Sequence, residues 1–334
     1  MTEPVRVASI GIGWWSNVLA DAVKRTPEME IVSCFTRSED KRKAFAEEYD
    51  CKPAESYEEI LKDDSIQGII NTTPNNVHFE TTRDAAAAGK HVFLDKPIAV
   101  NVKDSLATTH ACEEHGVHLS VGFQRRRESH FRWIQEKIAA GEFGKLVQAE
   151  ANISRDRVGQ FEPGHWRYQA EHMPGGVMLQ IGSHYLDVLE MLMGPVVSVS
   201  ARTSQLVLPG DNPDVANLVL EHENGALSNL TACYASASEY YMMNIYGKEA
   251  SAYYDLFEGL RHLTRGNTHS DKITCEKNDT IVEQLDEFAE CIRGNATPEC
   301  DGHWATHSLS VILAGVRSDK EKRSVDVAEI MAEA

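Results

Sequence analysis

Residues 5–26, VRVASIGIGWWSNVLADAVKRT, decide the fold, because a glycine turn separates a short apolar run from a segment with apolar side chains at helical spacing. This order predicts a strand, a tight turn and a helix. In the pattern G-x-G-x-x-G, the first glycine permits the turn and the second lets the backbone approach a pyrophosphate at the helix N-terminus. Gly11 and Gly13 fit these two roles, and Ser16 replaces the third glycine. The stretch therefore predicts a dinucleotide-binding site.

The next hundred residues repeat the alternation of strand and helix. Apolar runs predict strands at 29–36, 66–72, 90–95 and 117–123. Helical spacing predicts helices at 39–49, 57–61, 81–89 and 101–115. Repeated strand and helix units of this length indicate a parallel, doubly wound sheet. We therefore expect an α/β fold with a Rossmann dinucleotide-binding domain over residues 1–122.

Five residues near the two glycines bear on how a dinucleotide is held. Two adjacent tryptophans in a turn cannot both point inward, so one of Trp14 and Trp15 is expected to face the cofactor. The end of the second strand, where an acidic residue usually holds the ribose of NAD, carries Thr36, Arg37 and Ser38 instead. Hydroxyl and guanidinium groups suit the 2′-phosphate of NADP, so NADP is predicted over NAD. The alternative for Arg37 is an ordinary solvated surface charge.

Composition and charge limit the classes of protein to which the chain can belong and the partners it can bind. The chain has 334 residues, 42% of them hydrophobic and 25% charged, which indicates a globular protein of two domains. Its formal charge of −18 argues against nucleic acid and anionic membrane surfaces as partners. The seven cysteines are widely spaced and form no C-x-x-C pair, which is typical of reduced cytosolic thiols. Because the sequence shows no signal peptide and no long apolar run, we expect a cytoplasmic protein that acts on a small molecule.

The second half of the chain changes character. An amphipathic helix after residue 123 ends at Gly141 or Gly144, and longer runs then predict strands at 145–154, 196–208, 215–225, 226–236 and 240–255. Asn224 and Gly225 form a hairpin signal between two of these strands. Two final helices are predicted at 281–293 and 303–317, and they are expected to pack back near the nucleotide domain. We expect an α+β domain over residues 123–334 with a mostly antiparallel open sheet, whose uncovered face pairs copies into a homodimer or homotetramer.

The densest group of reactive side chains lies in residues 174–192, PGGVMLQIGSHYLDVLEML. If a helix begins near Gly176, then Gln180, His184 and Asp187 share one face. A polar stripe on an otherwise apolar helix suggests that this face borders a cleft. The alternative is a structural pair in which Asp187 satisfies His184, and the spacing alone does not separate the two.

Three motifs together resemble a known family. GIGWWS at 11–16, GKHVFLDKPIA at 89–99 and PGGVMLQIGSHYLD at 174–187 are similar, in order and spacing, to motifs of the Gfo/Idh/MocA nicotinamide oxidoreductases. That family is named for glucose-fructose oxidoreductase, inositol dehydrogenases and rhizopine catabolism proteins. The resemblance covers nearly the whole chain. It implies a nicotinamide cofactor, and it implies that Lys96, between Asp95 and Pro97, lies beside the nicotinamide and the reacting carbon.

The resemblance also implies roles for other residues. The stretch NTTPNNVH at 71–78 looks like the family's cofactor-contacting turn, with candidate contacts at Thr73, Pro74, Asn75 and His78. His184 matches the family's catalytic histidine. Two positions depart from the family pattern, because Asp95 replaces the usual glutamate and Gln180 replaces a common aspartate. Glutamine cannot exchange a proton at neutral pH, so His184 would act alone or with Lys96.

Residues 162–173, EPGHWRYQAEHM, resemble the family's variable substrate loop. His165, Trp166 and Arg167 would hold a hydroxylated ring by stacking and hydrogen bonds, or a carboxylate through Arg167. The stretch QRRR at 124–127 ends the last strand of the first domain, which makes Gln124 and Arg125 candidates for reaching the substrate. The alternative for this run is a solvated charged face. No metal site is predicted, because no group of residues has convincing ligand spacing.

These features predict an NAD(P)-dependent dehydrogenase or reductase. Hydride would pass between the nicotinamide and a secondary alcohol or ketone of a sugar, cyclic polyol or related hydroxylated ring. Because a histidine ordinarily titrates near neutral pH, His184 suits the base, and Lys96 would polarise the developing alkoxide. The alternative for Lys96 is to serve as the base itself, if burial and the positive charge of the oxidised nicotinamide lower its pKa. Three alternatives stay open: a dihydrodiol dehydrogenase of aromatic breakdown, redox-assisted glycoside cleavage, and a non-catalytic nucleotide-sensing protein.

Overall fold

The computed structural model describes residues 3–334, which divide into two compact units. The first unit comprises the described residues up to Gln124 together with Asp279–Thr306, and the second comprises Arg125–Asn278 and His307–Ala334. The boundary expected at residue 122 thus lies two residues before the division. Residues 279–306, which the sequence places in the second domain, belong to the first unit, because their helix buries its apolar face there.

Strands and helices are numbered along the chain. The strands are β1 (Val5–Ile10), β2 (Met29–Phe35), β3 (Lys52–Pro53), β4 (Gly68–Asn71), β5 (His91–Asp95), β6 (Leu119–Gly122), β7 (Leu146–Asp156), β8 (Val196–Ser204), β9 (Val215–His222), β10 (Leu227–Cys233), β11 (Ala235–Gly247), β12 (Ala250–Asp255), β13 (Gly259–Thr264), β14 (Asp271–Ile273) and β15 (Val325–Asp326). The helices are α1 (Trp14–Val23), α2 (Glu39–Tyr49), α3 (Tyr57–Leu61), α4 (His78–Ala87), α5 (Val102–Glu114), α6 (Ser129–Ala139), α7 (Ser183–Met193), α8 (Thr280–Ile292), α9 (Gly302–Glu321) and α10 (Val327–Met331).

A six-stranded parallel sheet forms the first unit, with the strand order β3-β2-β1-β4-β5-β6. This is the order of a doubly wound dinucleotide-binding fold, so the predicted Rossmann sheet is confirmed. Residues of β1, β2, α1 and α2 form one buried cluster, and α8 adds Leu285, Phe288 and Ala289 to it. The ring of Phe288 lies 5.9 Å from the ring of Phe93 on β5. This apolar face explains why α8 belongs to the first unit.

A nine-stranded sheet forms the second unit, in the order β14-β13-β12-β11-β7-β10-β9-β8-β15. All neighbouring strands are antiparallel except β7 and β10, so the prediction of a mostly antiparallel sheet is confirmed. One face carries buried residues such as Ala149, Ala151 and Ile153 of β7. The opposite face exposes apolar side chains, including Val219 and Leu227, which are 48% and 49% exposed.

Several boundaries differ from those predicted. The strand expected at 196–208 ends at Ser204, because the buried Asp214 carboxylate accepts the backbone N–H groups of the following residues, Leu206, Val207 and Leu208. The strand expected at 240–255 is split between β11 and β12. The Asn224-Gly225 hairpin between β9 and β10 is confirmed, and Gly225 has a positive φ of 81°.

Strands β3, β13, β14 and β15 and helix α10 were not predicted, because these short elements have weak apolar patterns. Within residues 3–334, none of the helices combines the length and the apolar character that crossing a bilayer requires.

Candidate active site

The glycine turn after β1 is shaped by close backbone contact. Gly11 has a φ of +79°, and a Cβ there would lie 2.3 Å from the backbone nitrogen of Thr73, so only glycine fits. The Gly13 N–H donates to Ser16 Oγ at 2.8 Å, and the Ser16 hydroxyl donates to the Gly13 carbonyl at 2.7 Å. A Cβ on Gly13 would meet nothing within 4 Å, which leaves the start of α1 open to close approach. These residues fit the pyrophosphate of a dinucleotide.

The two tryptophans that follow the turn have different environments. Trp14 is 75% exposed at the first residue of α1, whereas Trp15 packs against the core of the first unit. Their ring centres lie 5.5 Å apart. Trp14 is therefore the member of the pair that is available to a ligand at the glycine turn.

The end of β2 offers no carboxylate at the position that usually holds the ribose of NAD. Thr36 follows β2, and its carbonyl accepts a hydrogen bond from the buried Arg42 guanidinium at 3.0 Å. Arg37 is exposed, and Ser38 caps α2 by accepting the backbone N–H of Lys41 at 3.5 Å. The exposed guanidinium of Arg37 thus lies at the strand end that distinguishes the two cofactors.

The turn after β4 is held by a side-chain network. Asn71, the last residue of β4, accepts both the backbone N–H of Thr73 at 3.1 Å and its hydroxyl at 2.7 Å. The Asn71 amide donates to the Thr81 hydroxyl on α4 at 2.8 Å. Pro74 is exposed and Asn75 half-buried in the short turn that follows. The sequence did not single out Asn71 itself, although a fully buried polar residue at a strand end is a signal for such a role.

His78 connects this turn to the segment after β5. Its ring is fully buried, with Nδ1 2.9 Å from the Pro97 carbonyl oxygen and Nε2 2.8 Å from the Thr73 carbonyl oxygen. Burial lowers the pKa of His78, although the neighbouring carbonyl groups oppose this. Because carbonyl oxygens only accept, a neutral ring donates to one of them and a protonated ring to both. In either state His78 is a positioning residue for both segments.

Lys96 follows the last residue of β5, Asp95, and precedes Pro97. Its side chain is half-buried, and the peptide bond between Lys96 and Pro97 is cis. Because all six strands are parallel, Lys96 lies at the same sheet edge as Gly11 and Thr36. Ligands of open parallel sheets bind at this carboxyl edge. The fold of the first unit therefore brings the predicted cofactor contacts together along one edge.

A buried ion pair anchors the start of the second unit. Gln124 is the last residue of the first unit, and Arg125, Arg126 and Arg127 continue the same short turn after β6. The Arg126 guanidinium donates to both carboxylate oxygens of Asp187 on α7, and its Nε lies 3.0 Å from Oδ2. Their side chains are 2% and 0% exposed. The alternative of a solvated charge run is therefore wrong for Arg126.

Gln180 lies in a π-helical turn, Met178–Gly182, which leads directly into α7. The sequence prediction that Gln180 and His184 share one face assumed a regular α-helix. The π-helical turn changes the angular spacing between these two residues. The Gln180 amide donates to the Arg167 carbonyl at 2.9 Å, and the Asn212 amide donates to the same oxygen at 3.1 Å. His184 is buried in the first turn of α7. Gln180 thus links the segment of Arg167 to the helix of His184.

The predicted substrate loop contains a stack of flat side chains. The His165 ring lies 4.3 Å from Phe161 and 5.6 Å from Trp166, close to parallel with both. The Arg167 guanidinium lies 4.4 Å from the Trp166 ring centre. Outside this loop, the Arg125 guanidinium lies 4.5 Å from the Tyr241 ring. These aromatic and cationic groups suit a hydroxylated or anionic ring.

The glycine turn, the doubly wound sheet and the second unit with its mixed sheet define a two-domain NAD(P)-dependent oxidoreductase. Residues 5–123 match the description "Oxidoreductase family, NAD-binding Rossmann fold", and residues 131–253 match "GFO/IDH/MocA C-terminal domain". The chain belongs to the GFO/IDH/MocA family, so the resemblance of the three motifs is confirmed.

Individual relatives match along almost the whole chain. A crystal structure of a putative NADPH-dependent oxidoreductase from Desulfitobacterium hafniense is 31% identical, with 99% of this chain and 100% of that chain covered and a TM-score of 0.94. Two Bacillus subtilis proteins are also similar. The scyllo-inositol 2-dehydrogenase (NAD(+)) is 28% identical over 95% of each chain. The scyllo-inositol 2-dehydrogenase (NADP(+)) IolW is 24% identical over 97% of this chain and 96% of its own. These relatives support a nicotinamide cofactor without distinguishing NAD from NADP.

Proposed function

We propose that the protein is a dehydrogenase or reductase that interconverts a secondary alcohol and a ketone on a sugar, cyclic polyol or related hydroxylated ring. The observation that carries this proposal is Lys96, an ammonium at the carboxyl edge of the dinucleotide-binding sheet, next to a segment that His78 positions. The names of the inositol dehydrogenase relatives support the class of substrate.

The chain's own residues have distinct roles in this proposal. A bound nicotinamide would supply the acceptor or donor of the hydride at the substrate carbon. Lys96 donates a hydrogen bond to the reacting oxygen and stabilises the negative charge that develops there. His184 takes the proton of the alcohol, or returns it in the reverse direction. Gln180 can orient a substrate hydroxyl but cannot exchange a proton, so the proton chemistry depends on His184 and Lys96.

We further propose that NADP is preferred over NAD. Arg37 is exposed at the end of β2, and Thr36 and Ser38 carry hydroxyl groups rather than carboxylates. A guanidinium at this position would pair with the 2′-phosphate of NADP. Around the pyrophosphate and the nicotinamide we assign the contacts to Gly11, Gly13 and Trp14 and to the segments of Thr73 to Asn75 and Asp95 to Pro97.

The experiment that tests the proposal is a substrate screen that follows absorbance of the reduced cofactor, with sugars, inositols and dihydrodiols. On an active substrate, Lys96→Ala should lower kcat by about 100- to 10,000-fold, the usual contribution of a positioned acid or base. Its Kd for the cofactor should stay close to that of the unaltered protein. Lys103→Ala, an exposed lysine at the start of α5, is the matched control. A Lys96→Ala protein with a normal rate would remove this lysine from the mechanism.

A further inference from the structure

Four arginines of the second unit converge on two tyrosines. The guanidinium carbons of Arg125 and Arg155 lie 4.5 Å and 5.4 Å from the ring centre of Tyr241. The guanidinium carbon of Arg157 lies 5.8 Å from the ring centre of Tyr234. The positive charges of Arg157, Arg155 and Arg167 oppose the rise in the pKa of Tyr234 that burial causes. We name these six residues the arginine cluster.

The topology of the nine-stranded sheet explains why residues so far apart in sequence meet. Strands β7 and β10 are parallel neighbours, so both end at the same edge of the sheet. Arg155 is at the end of β7 and Arg157 follows that strand, while Tyr234 follows β10. Tyr241 lies on β11, directly opposite Ile153 of β7. The sequence did not single out Arg155, Arg157, Tyr234 or Tyr241, because no local spacing connects them.

The arginine cluster adjoins the residues already assigned to substrate. The carbonyl of Arg167 accepts the Gln180 amide, which belongs to the turn leading into the helix of His184. Tyr185, the residue after His184, has its ring 5.9 Å from the Arg125 guanidinium. These contacts connect the arginine cluster to the turn of Gln180 and to α7, the helix that carries the candidate base.

The charge balance of the cluster is unusual for this chain. The whole chain has a formal charge of −18, so a group of four arginines differs in sign from the average charge of the molecule. Within the cluster, Arg125 pairs with Glu128 at 2.9 Å and Arg155 with Glu239 at 3.3 Å. Arg157 is held by an uncharged group, the side-chain oxygen of Gln160 at 2.5 Å. Burial raises the pKa of Tyr234 to about 12, so its hydroxyl stays protonated and can donate at neutral pH.

We propose that the arginine cluster binds an oxyanion, a carboxylate or a phosphate, carried by the hydroxylated-ring substrate. Arginines bind such groups through paired N–H donors, and the Tyr234 hydroxyl supplies a further donor. The inference rests on the proposed function, which identifies this region as the substrate site. It narrows the expected substrates from neutral sugars and polyols to sugars and polyols that carry a carboxylate or a phosphate.

The test compares ligands that differ only in the anion. Calorimetry with the full-length protein measures Kd for D-glucose, D-glucuronate and D-glucose 6-phosphate, and for the pair D-galactose and D-galacturonate. At least one anionic ligand should bind about tenfold or more tightly than its neutral counterpart, as expected for one added charge-assisted hydrogen bond. The anion that binds more tightly distinguishes carboxylate from phosphate. Added KCl should weaken binding of the anion and leave binding of the neutral sugar unchanged.

Arg157→Gln is the decisive variant, because this side chain is half-buried and its loss threatens folding less than loss of a core residue. It should raise Kd for the preferred anion by about 10- to 100-fold and leave Kd for the neutral sugar unchanged. Arg125→Gln should act in the same direction. Arg265→Gln, which changes an exposed arginine paired with Glu249, is the matched control. Near-native thermal unfolding of each variant confirms that it folds.

The outcomes separate this inference from the proposed function. If neutral sugars reduce the cofactor and none of the three anions binds more tightly than its neutral counterpart, the inference is overturned and the proposed function stands. If an anion binds in an Arg157-dependent way and no ligand reduces the cofactor, the cluster stands and the proposed function is overturned. An unchanged anion Kd in Arg157→Gln also overturns the inference.

Discussion

The buried pair of Arg126 and Asp187 provides a quantitative test of the second unit. Its two side chains are 2% and 0% exposed and are joined by two hydrogen bonds. In Asp187→Leu the guanidinium would stay buried without its carboxylate, which typically costs about 3–5 kcal/mol in the free energy of unfolding. For a unit of this size, each kcal/mol lowers Tm by about 2–4 °C, so we expect a fall of about 6–20 °C.

The assay is urea and thermal unfolding followed by circular dichroism, with the double variant Arg126→Met/Asp187→Leu beside both single variants. Removing both charges should recover much of the loss, because an apolar pair of similar volume replaces two desolvated ions. Glu142→Gln is the matched control, since it removes the exposed partner of Lys137 and should change Tm little.

Two results would refute this reasoning. A single variant with unfolding free energy within about 1 kcal/mol of the unaltered protein would mean that the pair is hydrated or weakly coupled. A double variant as unstable as either single variant would mean that the cost comes from packing at α7 rather than from an uncompensated charge.

Three further predictions concern the cofactor contacts of the first unit and the exposed sheet face of the second unit. Arg37→Asp should weaken NADP binding more than NAD binding, because a carboxylate repels the 2′-phosphate. An unchanged ratio of the two measured Kd values would contradict the assignment of Arg37 to the 2′-phosphate. Gly11→Ala should abolish cofactor binding or folding, measured by calorimetry and circular dichroism, because its Cβ would lie 2.3 Å from the Thr73 backbone nitrogen. We propose that the outer face of the nine-stranded sheet pairs two copies of the chain. The double variant Val219→Glu/Leu227→Glu should therefore be monomeric by light scattering, and a monomeric unaltered protein would exclude this pairing.

Much of the first unit could be predicted from local sequence. Each strand of the parallel sheet except the two-residue β3 is a short apolar run, and Gly11 and Gly13 mark the turn by their chemistry alone. The expectation that the last two helices pack back near the nucleotide domain holds for α8, whose Leu285, Phe288 and Ala289 join the core of the first unit, whereas most of α9 belongs to the second unit. The particular contact of Phe288 with Phe93 has no signal in the local sequence.

The second unit shows where sequence reasoning fails. The prediction that Gln180, His184 and Asp187 share one face assumed a regular α-helix. In the structure, a π-helical turn that contains Gln180 precedes α7. The partner of Asp187 is Arg126, 61 residues away in the chain, and no periodic pattern connects them. Long-range pairs between charged residues have no local signature, so they become visible only in the folded chain.

The single imidazole of His78 fixes two loops at once, since its two nitrogens contact the backbones of Thr73 and Pro97. Engineering that reshapes the turn after β4 to accept a different coenzyme would therefore also displace the neighbouring lysine. Attempts to exchange the coenzyme should leave residues 71–81 intact and change only the exposed side chain of Arg37, because Thr36 is bonded to the buried Arg42 and Ser38 caps α2.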